Sequence, residues 1–108
     1  LGKNFVGSAP LGPCIVTADE LADPNDVRLM TRLNGTLLQD GTTSDWLFPL
    51  PALIAFLTRY VPLQPGDVVS TGTPAGNGIS RNPQIFMKAG DVVEVESPSI
   101  GVLRTAFV

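Results

Sequence analysis

Two stretches of the chain hold residue types able to work on a small anion. The first is Thr71-Gly72-Thr73-Pro74-Ala75-Gly76-Asn77-Gly78, where the end of a β-branched run delivers two hydroxyls and backbone amides to one spot. Glycines there let a ligand come close, and a carboxylate or an enolate suits such a place. The Gly-Lys-Ser/Thr ending of a phosphate-binding P-loop is missing, and a glycine-rich stretch of this kind also serves as a plain connection. The second is Lys3, in Gly2-Lys3-Asn4-Phe5, a lone cation in an otherwise uncharged opening. An ammonium there either sits in solvent or neutralises a substrate carboxylate or a developing oxyanion.

The carboxylates divide into three groups. Glu94 and Glu96 share one face of a strand and offer hard oxygens at a spacing able to bind a divalent cation, although glutamates on the outer side of a terminal hairpin are more often simply solvated. Asp67 and Asp91 each follow a glycine at a turn-to-strand junction, where aspartate bonds nearby amides. Asp19, Glu20, Asp23 and Asp26 fall in one surface turn. Gln39, Thr42, Thr43 and Asp45 form a further polar cluster, readable as a polar loop or as part of a site. The chain contains no histidine, so a Cys-His or Ser-His nucleophile cannot be assembled from it. Its single cysteine, Cys14, has no internal disulfide partner, is compatible with a reducing cytosol, and reads as a small buried hydrophobe.

Several elements must position these groups. Cys14-Ile15-Val16-Thr17 reads as a short strand, with Thr17 or Asp19 capping a helical turn through Leu21. Val27 to Leu33 alternates apolar and polar residues, Asn34-Gly35 follows at once, and Thr36 to Gln39 forms the return. That is a tight hairpin, since Asn-Gly supplies positive φ at both central positions. After the polar loop Asp40 to Asp45, Leu53, Ile54, Phe56 and Leu57 recur at helical spacing and predict an amphipathic helix from Pro51 to Tyr60, with proline in its first turn. Gly66-Asp67 turns the chain into a strand over Val68 to Thr71, and a loop runs from Gly72 to Pro83. Lys88-Ala89-Gly90-Asp91 repeats the logic of Gln64-Pro65-Gly66-Asp67 locally. It leads into a second hairpin, Val92 to Glu96 and Val102 to Val108. The expected fold is mainly β (α+β), with five or six strands and one main helix packed on or beside the sheet.

Composition narrows the function classes. At 108 residues and 44% hydrophobic content the chain suits one domain with one modest core. Ten prolines and eleven glycines favour short strands and tight connections over a helical bundle. The net charge is −3 and the seven basic residues are scattered, so no nucleic-acid footprint is present. The longest apolar stretch, Leu47 to Leu57, is too short to cross a bilayer. The chain starts at Leu1 without a methionine or a recognisable leader, and a natural N-terminus upstream is expected.

The order of the motifs carries more than any one of them. Gly2-Lys3-Asn4-Phe5, Pro10-Leu11-Gly12-Pro13 with Ile15-Val16-Thr17, Asn34-Gly35 with Gln39 and Thr43-Ser44-Asp45, Leu63 to Val69, Thr71-Gly72-Thr73-Pro74 and Lys88-Ala89-Gly90-Asp91 together resemble the C-terminal half of the fumarylacetoacetate hydrolase family. The likeness covers nearly the whole chain. It implies that residues 1 to 108 are the C-terminal part of a single catalytic domain whose N-terminal part is absent, with a mixed β-roll or sandwich-like fold. It also implies a homodimer and a magnesium or manganese ion that chelates a small keto acid and stabilises charge as a Lewis acid; the expected location is cytoplasmic.

The activities implied are hydrolysis of acylpyruvates or fumarylacetoacetate, decarboxylation of oxaloacetate-like acids, and isomerisation of 2-hydroxyhepta-2,4-diene-1,7-dioate type compounds in aromatic-acid breakdown. By the same resemblance Lys3 matches the catalytic lysine, and Thr73 matches the substrate-side threonine with Thr71 and Gly72 beside it. The family's metal carboxylates and histidine-containing lid precede the Gly-Lys-x-Phe block, so no metal ligand is assigned within this chain. Glu94-Val95-Glu96 copies a Glu-x-Glu spacing in the wrong place, and Val6 stands where many members carry aspartate. The rival expectation is a non-catalytic β module serving dimerisation or scaffolding.

Overall fold

Asn34 at φ 49° and Gly35 at φ 81° close a two-residue turn, which requires left-handed backbone at both central positions. The turn joins β1 (Arg28–Leu33) to β2 (Thr36–Thr42), and the two pair antiparallel. The computed structural model describes residues 6–108. Within them β3 (Val92–Ser97) and β4 (Gly101–Ala106) form the second expected hairpin, with β3 lying antiparallel against β1. The result is one four-stranded antiparallel sheet in the order β2-β1-β3-β4.

Asn34 does more than turn the chain. Its backbone N–H donates to the Val92 carbonyl and its side-chain oxygen accepts from the Val92 N–H, both at 2.8 Å. Its side-chain amide donates to Asp91 Oδ1 at 2.9 Å. The tip of the first hairpin is thereby tied to the start of β3, across a long separation in sequence.

The two Gly-Asp turns share one construction. Asp67 Oδ2 accepts from Gln64 N–H at 2.8 Å and Asp91 Oδ2 from Lys88 N–H at 2.9 Å. In both, the Asp N–H returns a bond of 3.0 Å to the same residue's carbonyl. Gly66 and Gly90 adopt φ 97° and 90°, a conformation that strains any residue with a Cβ.

Asp91 is only 4% exposed. The Asn34 side-chain amide, and after it the Lys88 N–H, hold its carboxyl below the usual carboxylate range. A carboxyl whose pKa is lowered by folding stabilises the fold in full above the unfolded value of about 3.9, and that contribution fades as pH falls through the folded value. In the full-length protein Asp91→Asn is expected to unfold at lower temperature than wild type at pH 7, with the gap narrowing below about pH 4. Thermal unfolding at pH 7 and pH 3 measures this, and a gap that does not change with pH would remove the carboxylate from the account.

β2 is longer than expected and takes in Asp40, Gly41 and Thr42, which the sequence suggests are loop. It also carries a bulge. Thr31 faces Gln39 but Arg32 faces Leu37, so Leu38 has no opposite residue. A bulge bends its strand and re-aims the side chains that follow.

Two expected strands are absent from the sheet. Cys14 to Thr17 and Val68 to Thr71 run without a ladder partner among the described residues. Ile15 and Val68 are 88% and 73% exposed. A β-branched run becomes a strand only when another chain segment completes its hydrogen bonds, and the described residues supply none. Cys14 is likewise exposed rather than buried, its thiol 3.5 Å from the Ile100 carbonyl.

The helix α1 (Leu50–Leu57) forms with Pro51 in its first turn, but it is shorter than expected and none of its residues is buried. It does not pack closely on the sheet as expected. Phe56 and Tyr60 instead meet edge to face, 5.4 Å apart. Among described residues the buried apolar side chains are Val27 and Met30, a smaller core than the composition suggests. The accessible surface is 8405 Å², against roughly 5800 Å² expected for a folded monomer of this mass. Leu47, Phe48, Phe56, Tyr60 and Val61 are among the exposed apolar side chains, and apolar surface left in water forgoes about 25 cal/mol per Å² relative to burial. Among the described residues no helix is long and apolar enough to cross a membrane.

Candidate functional site

The end of β2 and the segment Thr71 to Ala75 face each other across a cleft of about 510 Å³. Its walls are Asp40, Gly41 and Thr42 of β2, Thr43 and Asp45 of the short 3-10 turn Thr43–Asp45, Trp46 and Leu47 beyond it, and Thr71, Gly72, Thr73 and Pro74 opposite. Leu29 of β1 adds an apolar side chain. Residues that sequence reasoning kept in two separate groups therefore share one cavity.

The opposed segment is held by three devices. Gln39 Nε2 donates to Thr73 Oγ1 at 2.9 Å and to the Pro74 carbonyl at 2.8 Å. Gly41 leaves room for the Pro74 ring, since a Cβ there would lie 2.8 Å from Pro74 Cβ. Arg81 then bonds the carbonyl of the bulged Leu38 and, at 3.0 Å, the Gly76 carbonyl. The guanidinium satisfies an acceptor that the bulge removes from the ladder. Asn77 caps the turn Gly78–Ser80 by accepting from Ser80 N–H at 3.0 Å, so the loop expected from Gly72 to Pro83 is an ordered, bonded structure.

Not every polar lining group is free for a ligand. Thr43 Oγ1 accepts from Val27 N–H at 2.9 Å and donates to the Pro24 carbonyl at 2.8 Å, which commits its one hydrogen and one of its two lone pairs to the fold. Thr42 Oγ1 donates to Asp26 at 3.2 Å. Asp40 takes a forked pair of bonds from Arg28, at 2.8 and 2.6 Å. That guanidinium holds the Asp40 carboxyl below the usual carboxylate range. Thr73 is exposed toward the cleft, as is Gly72 at φ 115° with open space where a Cβ would stand. Thr71 is half-buried beside them.

No Lys or Arg occurs among the described residues lining the cleft, whereas Asp40 and Asp45 do. An anionic ligand therefore needs a positive charge from elsewhere. Lys3, the sequence candidate for that charge, lies outside the described residues. Glu94 and Glu96 do not supply a cation site: Glu94 pairs with Arg104 at 3.5 Å and Glu96 with Arg32. The described residues contain no group of three or more His, Cys, Asp or Glu able to hold a metal ion, so they do not fit one by themselves.

The contribution of Gln39, Gly41 and Arg81 is not visible in sequence reasoning. Gln39 sits in a polar cluster that also reads as a loop, and only the bulge shows that its amide reaches a segment more than thirty residues away. A second trough of about 780 Å³ along α1 is lined by Phe48, Leu53, Phe56 and Leu57 with Arg59 at its margin. It offers a far poorer set of groups for orienting a small acid.

The sequence model described as fumarylacetoacetate (FAA) hydrolase C-terminal matches residues 1–108. The mitochondrial oxaloacetate tautomerase fahd2 of Xenopus laevis is 44% identical over 108 residues, all of this chain and 34% of the relative. The chain thus spans about a third of the length of that curated relative. The fumarylacetoacetate hydrolase of psychrophilic Exiguobacterium antarcticum superposes with a TM-score of 0.89 at 40% identity, over 94% of this chain and 36% of that one. The maleylpyruvate hydrolase of Sphingobium sp. SYK-6, solved in complex with manganese(II) and pyruvate, gives 0.79 at 31% identity, over 90% of this chain and 34% of that one. A match along the whole length, and solved relatives that share the sheet and helix, make this chain a member of the fumarylacetoacetate hydrolase family.

Proposed function

We propose that residues 1–108 are the C-terminal part of a longer enzyme that hydrolyses a C–C bond in, or isomerises or decarboxylates, a small 2-keto or 2,4-diketo acid. The observation that carries this reading is the cleft in which the Thr71-Gly72-Thr73-Pro74 segment faces the end of β2, with the Thr73 hydroxyl exposed to it. Thr71, Gly72 and Thr73 form the substrate side. Thr73 donates a hydrogen bond to an oxygen of the acid, and Gly72 leaves space for it. Lys3 acts as the catalytic ammonium, countering carboxylate or enolate charge next to a wall that itself carries Asp40 and Asp45. A divalent cation, magnesium or manganese, belongs to this reading with its ligands outside residues 6–108. The manganese(II) complex of the Sphingobium maleylpyruvate hydrolase supports it. The enzyme is read as a cytoplasmic homodimer, and its exposed apolar surface beside α1 is suited to cover by further protein.

The test is turnover by the full-length protein with magnesium, against acylpyruvates, oxaloacetate and dienedioate isomers. Turnover of at least one of them is expected, and Lys3→Ala is expected to lower kcat by about 100-fold or more, the scale of losing one preorganised charge stabiliser. An unimpaired Lys3→Ala variant removes that role. No turnover of any acid favours the second reading, a non-catalytic β module, which the lack of a metal-binding cluster among the described residues makes specific.

A further inference from the structure

Gln39 reaches the cleft segment with one atom and two partners. Nε2 stands 2.8 Å from the Pro74 carbonyl and 2.9 Å from Thr73 Oγ1. A carbonyl oxygen only accepts, so the end of the amide that faces it must be the NH2 group. The second hydrogen of that group then points to Thr73 Oγ1, and the threonine oxygen is an acceptor in this contact. Nε2 has no lone pair to offer in return, so the Thr73 hydroxyl hydrogen turns elsewhere. Thr73 is exposed and lines the cleft, so that hydrogen is available to whatever the cleft holds.

We infer that Gln39 is a positioning residue that fixes the polarity of the Thr73 hydroxyl, making it a donor toward an oxyanion bound in the cleft. The inference rests on the keto-acid reading for the identity of the ligand, and on the hydrogen-bond chemistry alone for the direction of the donor. It explains the construction around Gln39. The bulge at Leu38 immediately precedes it and re-aims the strand. Arg81 ties the bulged carbonyl to Gly76, just past the segment Gln39 holds. Gly41, two residues on along β2, makes room for the Pro74 ring. A hydroxyl free to rotate would serve donors and acceptors alike, whereas one already committed as an acceptor presents a hydrogen, which suits carboxylate and enolate oxygens.

The experiment replaces Gln39 in the full-length protein by Glu and, separately, by Met. A carboxylate only accepts, so Gln39→Glu draws the Thr73 hydrogen inward and away from the ligand. Methionine leaves the hydroxyl free to rotate. The expected order of kcat/KM on the acid that turns over is wild type, then Gln39→Met, then Gln39→Glu, with the last down by about 100-fold, the lower end of the scale for losing one oxyanion donor. Gln39→Glu is expected to recover partly toward pH 5, as its carboxyl begins to protonate and can again donate, a recovery that Gln39→Met lacks. Adding Gln39→Glu to Thr73→Val is expected to cost less than Gln39→Glu costs in wild type, because only the bond to the Pro74 carbonyl is left to lose.

Oxalate affinity by calorimetry, with magnesium present, gives a readout independent of turnover and should follow the same order. Any other order, a full multiplicative loss in the double variant, or absence of oxalate binding by wild type overturns the inference. If wild type turns over none of the acids yet binds oxalate, the assigned reaction fails. The inference then stands if Gln39→Glu weakens oxalate binding and falls if it does not.

Discussion

Replacement of Gly41 by alanine in the full-length protein is expected to lower kcat/KM on its keto acid by about 100-fold while leaving the sheet folded. The reason is steric and local. A Cβ at Gly41 would stand 2.8 Å from Pro74 Cβ and 3.2 Å from Cγ, where ordinary contact begins at 3.4 Å. The proline ring cannot swing aside as a long side chain does, and β2 is pinned to β1 on its other edge. The segment carrying Thr73 must therefore back away from the strand by several tenths of an ångström, and Gln39 cannot then bond both Thr73 and Pro74 at their present lengths. A misplacement approaching 1 Å of a group that orients substrate costs on the order of 100-fold. Steady-state kinetics beside a circular dichroism spectrum checks it. Wild-type kcat/KM in a folded Gly41→Ala variant would mean that this wall does not touch the substrate.

Gly76→Ala is expected to lower stability by about 3 kcal/mol, together with loss of activity. Gly76 adopts φ 94°, and its absent Cβ would run into the Leu38 carbonyl with the Arg81 guanidinium 3.2 Å away. Left-handed backbone costs alanine about 1–2 kcal/mol, and forcing an extra carbon into a filled space adds about 1–3 kcal/mol. Gly72 provides the comparison. It too has positive φ, at 115°, but nothing stands within 4 Å of its missing Cβ. Gly72→Ala should then carry the backbone strain alone, and denaturant unfolding of the two variants in the full-length protein should separate them by about 2 kcal/mol. Equal stabilities would show that the Leu38 bulge and Arg81 do not clamp this loop.

The parts of the fold that could be foreseen are those whose cause lies within a few residues. Asn34-Gly35 demands positive φ twice and gets it, and each Gly-Asp pair builds its own turn with its own carboxylate. The helix carries Pro51 in its first turn for a similarly local reason. What failed depends on a partner. Val68 to Thr71 and Cys14 to Thr17 have strand composition but no neighbour among the described residues to complete a ladder. The apolar face of α1 predicts burial without naming what buries it.

The site divides along the same line. The Thr71-Gly72-Thr73 segment stands out by its residue types, and it lines a cleft. Gln39, Gly41 and Arg81 matter through distances across the fold, set by a one-residue bulge that no local signal marks. Glu94 and Glu96, which a spacing argument offers to a cation, are taken by arginines on neighbouring strands, a pairing that exists only once the strand order is known.

The central claim is that the Thr71 to Pro74 wall faces the keto acid. The most direct test is a crystal structure of the full-length protein with manganese(II) and pyruvate. A pyruvate oxygen is expected within hydrogen-bond distance of Thr73 Oγ1, between that wall and the end of β2. Pyruvate ordered elsewhere, with Thr73 bonded only to Gln39, would contradict it.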